Sequence, residues 1–314
     1  MPWPLVSVVI PTQSRDRHVL LRKAVNGVLG QDYPGPIECL VVFDQIKPAV
    51  PAVETKEGRV LRILTNVRVS GPGGTRNTGA IDARGDFLAF CDDDDEWVER
   101  KLRLQISALA NHLAAVATCG IYVCYGSHAI ARLPPNRPIT FRDFLQSRHA
   151  EVHPSTLVMR RKTFLEFVGP LDEDVVLRSG YCADYEWLLR ASRRCRLVAV
   201  REPLVRVNWH PGAWSMMQDG AGAHWETIIA ALTYLMEKYP EFQQEQRGLA
   251  RISGQIAFAY AALGQRVQSR QWTAKCLSLN PLDIRGYLAV LVNSGLIRSE
   301  VVLRLVNLLG RGIP

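Results

Sequence analysis

The sequence predicts an α/β protein with a mixed sheet in its longer N-terminal part and a small all-α region after it. Runs of apolar, β-branched residues such as 5–12 and 37–43 alternate with segments of helical periodicity, as in a parallel sheet with strands buried on both faces. A strand-like run at 87–91 leads directly into five acidic residues. From residue 223 onward only helical periodicity remains.

The chain opens with a predicted βαβ unit. Residues 5–12 form an apolar run that stops at Pro11, and apolar side chains between residues 20 and 29 recur at helical spacing. Residues 37–43 predict a second buried strand, which Asp44 follows directly. Ligands bind beyond the carboxyl ends of strands in such sheets, so Asp44 is a candidate binding residue.

A glycine-rich run precedes the next predicted helix. Residues 60–64 predict a short third strand, and residues 71–74 (GPGG) then lead to a helix expected at 77–83. Backbone N–H groups at the start of such a helix can bind a phosphate. The same residues are equally typical of a plain turn, and the sequence leaves both interpretations open.

Five carboxylates at residues 92–96 follow the predicted strand at 87–91. Adjacent acids repel one another, so a folded chain keeps them together only with water or a cation. Their oxygens suit Mg²⁺ or Mn²⁺ rather than zinc. The alternative is a solvated acidic turn that caps the next helix. The strand in front of the acids favours the metal site.

Strands and helices continue to alternate up to about residue 220. The predicted strands are 115–125, 153–159, 197–200 and 204–207. One helix is predicted at 97–113, and another begins with Asp184 near its first turn. The segment 126–152 is loop-rich and is expected to form an adaptable wall of a site.

The composition shift near Gly220 predicts two domains, residues 1–219 and 220–314. The second is expected to be helical, and residues 262–281 resemble one tetratricopeptide-type helix pair. A single unit of that kind does not stand alone, so we expect it to pack against the first domain. The last predicted helix, 300–309, is apolar on one face and carries arginines, which fits core packing or contact with a membrane surface.

Composition and charge narrow the classes of partner. With 47% hydrophobic and 22% charged residues the chain is an ordinary globular protein. Seven cysteines without a CxxC pair argue against a disulfide framework or a structural zinc site and fit a reducing, cytoplasmic location. No signal peptide is expected. The net charge of +8 suits a phosphorylated substrate or an anionic membrane surface, whereas no nucleic-acid motif accompanies it.

Four blocks, taken in order and spacing, resemble the family-two glycosyltransferases of the GT-A fold. The blocks are residues 7–12 (SVVIPT), 75–79 (TRNTG), 90–97 (FCDDDDEW) and 184–190 (DYEWLLR). Enzymes of this family use nucleotide-sugar donors and invert the anomeric centre. The resemblance covers roughly residues 5–215. It implies a Rossmann-like mixed sheet and a transferase that takes a UDP-, GDP- or dTDP-sugar with Mg²⁺ or Mn²⁺.

The resemblance also implies site residues. The residues expected to bind the nucleotide are Pro11, Thr12, Arg15, Asp44, Arg76, Asp92 and Asp93. Asp44 would accept a hydrogen bond from the base, and Asp92 would lie near the ribose. Asp94 is the expected metal ligand, with His210 close to the metal or diphosphate. Asp184 would be the general base that takes the proton of the acceptor hydroxyl.

Two departures from the family pattern keep alternatives open. Ala183 replaces the acid that commonly precedes the base, so Glu186 and Asp172 are fallback bases. Asp44 stands alone where relatives often have a pair. The residues alone favour Asp184 as a helix-capping or first-turn acid, and only the resemblance favours it as the base. His210, beside Trp209, equally fits a packed residue or one that stacks on the acceptor.

Two other functions are weighed against glycosyl transfer. The sequence Gly73-Gly74-Thr75-Arg76 echoes the loop of sugar-nucleotide pyrophosphorylases, although that loop normally follows the first strand. A non-catalytic nucleotide-binding or scaffold protein is the other. The expected acceptor is a glycan, a lipid-linked sugar or a small molecule. Peripheral membrane contact and homo-oligomerisation through the C-terminal helices are left open.

Overall fold

The computed structural model describes residues 3–14, 16–49, 53–125, 128–174, 181–209 and 222–308. The chain divides into two compact units. One comprises Met1–Thr140 and His149–Asn208, and the other comprises Phe141–Arg148 and Trp209–Pro314. The first contains the sheet and the second is helical. This architecture confirms the predicted α/β class with a helical C-terminal region.

Four parallel strands form the N-terminal half of the sheet. They are β1 (Val6–Thr12), β2 (Ile37–Phe43), β3 (Arg59–Thr65) and β4 (Phe87–Phe90). Their order is β3-β2-β1-β4, and Val6 pairs with both Ile37 and Phe87. Strands β1 and β2 are buried almost throughout, which explains their unbroken apolar sequences. The helices between these strands are α1 (His18–Leu29) and α2 (Pro72–Asp82).

Antiparallel pairing makes the other half of the sheet mixed. Its strands are β5 (Glu96–Trp97), β6 (Val116–Tyr125), β7 (His128–Arg132), β8 (Val158–Arg160) and β9 (Leu197–Trp209). Strand β8 joins the two halves, because Met159 pairs with Leu88 of β4 and with Val116 of β6. Among the described residues, the order continues β4-β8-β6-β9-β5, with β7 on β6.

Helix α3, Lys101–Asn111, belongs to the first unit. Helix α4, Phe141–Gln146, belongs to the second unit. Helix α5 covers Ala183–Arg194 and carries Asp184 in its first turn, as predicted. Between them lie a 3₁₀ turn at Pro154–Thr156 and a π-helical turn at Thr163–Val168.

The glycine-rich run is part of a helix rather than a loop in front of one. Helix α2 begins at Pro72, where the missing N–H is not needed for a helical hydrogen bond. Gly71, with φ of 120°, precedes it. A Cβ on Gly74 would lie 2.9 Å from the carbonyl carbon of Val69. The glycine is therefore required by a close approach of two backbone segments.

Four other predicted segments differ in the structure. Trp97 does not begin a helix; it pairs with Val205 of β9, and α3 starts only at Lys101. The two strands predicted at 197–200 and 204–207 are one strand, β9, which runs through Pro203. The strand predicted at 153–159 shortens to β8, since His153 caps the 3₁₀ turn. The segment predicted to be loop-rich contains β7 and α4.

The second unit is built around one buried helix. Its elements after α4 are α6 (Gly222–Lys238), a 3₁₀ turn (Pro240–Gln244), α7 (Gln246–Ala262), α8 (Arg266–Leu279), α9 (Ile284–Asn293) and α10 (Ser299–Leu308). Helix α7 packs against α4, α6, α8 and α9. A Cβ on Gly254 of α7 would lie 3.0 Å from the sulfur of Cys276. Among the described residues, no helix combines the length and apolar character needed to cross a bilayer.

Candidate active site

The four aspartates after β4 turn toward different partners. Asp93 faces the end of β1, where the hydroxyl of Thr12 donates to it over 2.6 Å. Nη1 of Arg17 lies 3.1 Å from Asp93 and 3.3 Å from Asp94. Burial lowers the pKa of Arg17, but the two carboxylates outweigh that effect and raise it. Thr12 and Asp93, both predicted site residues, are thus joined directly.

Asp92 faces the helix that follows the glycine-rich run. Arg76, almost fully buried in α2, donates from Nη2 to Asp92. Nε2 of His153 lies 3.6 Å from the other carboxylate oxygen. Burial raises the pKa of Asp92, but Arg76 and His153 outweigh it, so the pKa lies below its ordinary value. Asp92 and Arg76, predicted separately, form one ion pair.

Asp95 is the most buried of the four, at 1% exposure. The hydroxyl of Ser155 donates to its Oδ2 over 2.6 Å, and Nδ1 of His153 lies 3.4 Å from the same oxygen. Burial, followed by the charges of Asp94 and Asp92, raises the pKa of Asp95 well above its ordinary range. A proton on Asp95 or a cation bound nearby would relieve this repulsion.

Asp92, Asp95 and His153 could together hold a metal ion. One ligand atom from each lies within 4.8 Å of the others. Two carboxylate oxygens and one imidazole nitrogen fit Mn²⁺ better than Mg²⁺, because imidazole prefers transition metals. Asp94, the ligand expected from the sequence, is adjacent but contacts Arg17. His210, the other expected ligand, lies outside the described residues.

His153 and Ser155 were missed by the sequence analysis. They lie at the 3₁₀ turn before β8, within the segment 153–159 that the sequence predicts as a strand. The backbone N–H of Asp92 donates to the hydroxyl of Ser155 over 2.9 Å. The signal that could have identified them is the sequence His-Pro-Ser at the start of the predicted strand. A strand that only fills the core does not need polar residues at the edge of the sheet where the carboxylates lie.

Asp44 directly follows β2, and its side chain lies beside the start of α2. Its carboxylate accepts hydrogen bonds from Nδ2 of Asn66 (2.9 Å), the hydroxyl of Ser70 (3.1 Å) and the backbone N–H of Gly71 (2.7 Å). The glycine-rich segment therefore directs an N–H at a protein carboxylate. Pro11, in β1, pairs with Val42 of β2 in the same part of the sheet. Arg15 lies outside the described residues.

Asp184 comes from a different part of the chain but is electrostatically linked to the acidic run. Burial lowers the pKa of Arg76, but the charge of Asp92 and then that of Asp184 are among those that outweigh it and raise it. One oxygen of Asp184 accepts the N–H of Tyr185 over 2.8 Å. The N-cap position of α5 is Cys182, so Asp184 is an acid of the first turn rather than the cap.

The two fallback bases are placed differently. Glu186 is fully buried, and its carboxylate accepts three contacts of 2.9–3.1 Å from Arg190. A carboxylate held in this way is not available to an acceptor hydroxyl. Asp172 accepts the N–H of Asp174 over 3.0 Å in a local turn. Burial and the pairing with Arg190 thus set Glu186 apart from Asp184 and Asp172, each of which accepts one local backbone N–H.

Comparison with known families identifies the first unit. A family model described as Glycosyl transferase family 2 matches residues 7–169, more than half of the chain. The chain belongs to glycosyl transferase family 2. The predicted resemblance is thereby confirmed, and with it the class of glycosyltransferases. The matched segment includes Asp44, Arg76 and the acidic run but ends before Asp184, whose role stays a prediction.

Two relatives of this chain act on undecaprenol-linked sugars according to their names. The GalNAc(5)-diNAcBac-PP-undecaprenol beta-1,3-glucosyltransferase of Campylobacter jejuni is 35% identical over 97 residues, 30% of this chain and 30% of its own. The UDP-Glc:alpha-D-GlcNAc-diphosphoundecaprenol beta-1,3-glucosyltransferase WfgD of Escherichia coli is 27% identical over 145 residues. That match covers 46% of this chain and 56% of WfgD. The chain thus spans between 30% and 56% of the length of these relatives.

Solved structures of similar fold include two nucleotide complexes. TarS 1-349 of S. aureus in complex with UDP has a TM-score of 0.56 and 16% identity, covering 94% of this chain and 92% of TarS 1-349. The mannosyltransferase PcManGT of Pyrobaculum calidifontis in complex with GDP-Man and Mn²⁺ has a TM-score of 0.57 and 16% identity. The match covers 97% of this chain and 90% of the PcManGT chain. At such identities the likeness shows the fold, and the GT-A prediction is confirmed.

Proposed function

We propose that this member of family 2 is a metal-dependent, inverting glycosyltransferase that moves a sugar from a nucleotide diphosphate to an acceptor hydroxyl. One observation carries the proposal. Arg76, buried in α2, pairs with Asp92 at the end of β4; burial lowers the pKa of Arg76, but the charge of Asp92 and then that of Asp184, at the start of α5, outweigh it and raise it. A transferase needs donor-binding and proton-accepting groups in one place, on different segments.

The donor is held by residues around the ends of β1, β2 and β4. Asp44 is assigned to the base, with Thr12 and Arg76 toward the ribose and the diphosphate. Pro11, Arg15 and Asp93 complete the expected nucleotide site. Asp92, Asp95 and His153 would hold Mn²⁺, with Asp94 and His210 as the ligands expected from the family. The bound ion would offset the negative charge that develops on the leaving diphosphate.

Asp184 acts as general base in this proposal. The acceptor hydroxyl loses its proton as it attacks the anomeric carbon, and a positioned carboxylate can accept that proton. Inversion requires the base on the face of the sugar opposite the leaving group. A base on α5, a segment separate from the acids after β4, is compatible with that requirement.

We assign a UDP-sugar as donor and a lipid-linked glycan as acceptor. The name of WfgD specifies UDP-Glc and a diphosphoundecaprenol acceptor, and TarS has been solved with UDP. The net charge of +8 suits a diphosphate-bearing acceptor. Thermal-shift measurements with UDP, GDP, dTDP and CDP, each with Mn²⁺, test the donor. UDP should raise the melting temperature most, because a ligand that binds the folded state stabilises it.

Turnover of a UDP-sugar with a lipid-linked acceptor tests the mechanism. We expect Asp184→Asn to lower the rate about 100-fold or more, the usual contribution of a general base. Asp86→Asn is the matched control, since Asp86 is exposed and lies before β4, at the opposite end of that strand. Normal turnover in Asp184→Asn would show that the base lies elsewhere.

A peripheral contact with an anionic membrane, on its cytoplasmic side, is proposed for the second unit. Val302 of α10 is buried, but Val301 and Leu305 are 45% and 58% exposed, so core packing does not account for them. Arg298, just before α10, and Arg304, within it, are exposed. Apolar side chains flanked by arginines suit lipid phosphates.

Vesicle co-sedimentation tests this surface. The protein should bind vesicles rich in phosphatidylglycerol more than neutral ones, and Leu305→Asp should weaken that binding. Leu113→Asp is the control, because Leu113 is 91% exposed on the first unit. Equal sedimentation with both vesicle types would contradict the membrane contact. Loss of a dimer in Leu305→Asp would show instead that the face serves homo-oligomerisation.

A further inference from the structure

A short segment, residues 168–171, links the helix of the proposed base to the helix of Arg76. We name it the bridge. It begins at Val168, the last residue of the π-helical turn, and contains Gly169, whose φ of 94° favours glycine. A Cβ there would also lie 3.2 Å from Nη1 of Arg190. The segment is therefore shaped for close contact with a side chain of α5.

Helix α5 holds three consecutive carbonyls of the bridge. Nη1 of Arg190 donates to the carbonyl of Val168 over 3.0 Å, and Nη2 donates to that of Pro170 over 2.8 Å. Between them, the indole N–H of Trp187 donates to the carbonyl of Gly169 over 2.9 Å. Every donor comes from the same helix as Asp184.

Glu186 fixes the direction of the guanidinium. It is fully buried and accepts from Nε and Nη2 of Arg190, which leaves the remaining N–H groups aimed at the bridge. An arginine paired on one edge with a carboxylate is a rigid fork rather than a mobile side chain. The ion pair thus serves to orient contacts with the backbone.

Helix α2 holds the next residue of the bridge. Asn77, fully buried, accepts the N–H of Leu171 at its Oδ1 and donates from Nδ2 to the carbonyl of Leu171, both over 2.9 Å. Nδ2 also lies 2.6 Å from a carboxylate oxygen of Glu173. Asn77 directly follows Arg76, the residue that pairs with Asp92.

We propose that Asn77, Trp187 and Arg190 are positioning residues that set the location of Asp184 relative to Arg76 through the bridge. The inference rests on the proposed role of Asp184 as general base. None of the three needs to touch substrate. A base must be held within a fraction of an ångström of its working position, and a displacement of about 1 Å costs about 100-fold in rate.

The test compares two arginines of α5. Arg190→Lys keeps the charge beside Glu186 but loses the fork, and we expect kcat to fall about 10- to 100-fold with the donor KM and the Kd of UDP nearly unchanged. Arg194→Lys is the control, because Arg194 is exposed and donates over 2.6 Å to the carbonyl of Phe167, a residue that precedes the bridge. It should keep normal kcat.

Trp187→Phe serves where Arg190→Lys does not fold, since it removes the hydrogen bond to Gly169 and keeps an aromatic ring beside Phe164. The deciding measurement combines each variant with Asp184→Asn. If the bridge acts through Asp184, the further loss of kcat disappears in that background. A full additional loss there, or a rise in donor KM in place of the fall in kcat, overturns the bridge. Normal turnover in Asp184→Asn alone overturns the proposed base instead.

Discussion

At the scale of single residues, Lys101 is fully buried, and its ammonium group lies over the ring of Trp97, 3.8 Å from the centroid. In the described part of the chain, Nζ has no hydrogen-bond partner. Burial lowers the pKa of Lys101 to about 8 from 10.5. The charged form is therefore disfavoured in the folded protein, by about 3 kcal/mol for a shift of this size.

We expect Lys101→Met to stabilise the protein at pH 7, because methionine fills a similar volume without a charge. The unfolded chain binds the lysine proton more tightly than the folded one does. The penalty on folding is thus complete below pH 8 and fades as the pH rises to 10.5. Denaturant unfolding at pH 7 and pH 10 measures both effects. A stabilisation that does not shrink at pH 10 would mean that charge is not the cause.

His153 is the second residue whose substitution we expect to have a measurable effect. It lies between Asp92 and Asp95, at 3.6 and 3.4 Å. His153→Asn should reduce the stabilisation by Mn²⁺ in a thermal-shift titration while leaving the shift by UDP without metal intact, because it removes a nitrogen ligand only. His128→Asn, at an exposed position of β7, is the control. If stabilisation by Mn²⁺ is unchanged in His153→Asn, the ion is bound by Asp94 and the other acids without His153.

At the scale of elements, α2 is packed tightly on the sheet. A Cβ on Gly79 would lie 2.9 Å from Cγ2 of Val9 and 3.0 Å from Cγ2 of Val42. Both valines are fully buried in β1 and β2, and their branched side chains have little freedom to move. The position of Arg76 and Asn77 over the strand ends depends on this contact.

Gly79→Ala should therefore destabilise the protein by about 1–3 kcal/mol, the usual cost of overpacking. Gly27→Ala in α1 is the matched control, since a Cβ there would meet Trp97 only at 3.5 Å, an ordinary contact distance. That helical alanine should stabilise by about 0.5–1 kcal/mol. Urea unfolding of the two variants gives both values. Equal effects would show that the helix, not its contact with the sheet, responds to the substitution.

At the scale of the whole molecule, sequence pattern predicts what is locally encoded. The bounds of β1 and β2 follow from apolar runs, and the acids after β4 follow from charge alone. The strand at Trp97 could not be predicted, because it depends on pairing with Val205 more than a hundred residues away. His153 was missed for the same reason, since its partners Asp92 and Asp95 lie far from it along the chain.

The helix α4 has a consequence for how the chain can be cut. Although it lies within the sequence of the first unit, its side chains pack in the second, where Phe144 is fully buried and Arg142 lies 3.0 Å from Glu245. The chain therefore passes between the units three times, near residues 140, 148 and 208. A boundary at residue 220, as the sequence predicts, would strip α4 of α7, its packing partner. The shortened chain would expose Phe144 and Leu145 and self-associate, which light scattering would detect. The two units are interlaced along the chain, and neither is a contiguous piece that evolution or an experimenter could exchange by one cut.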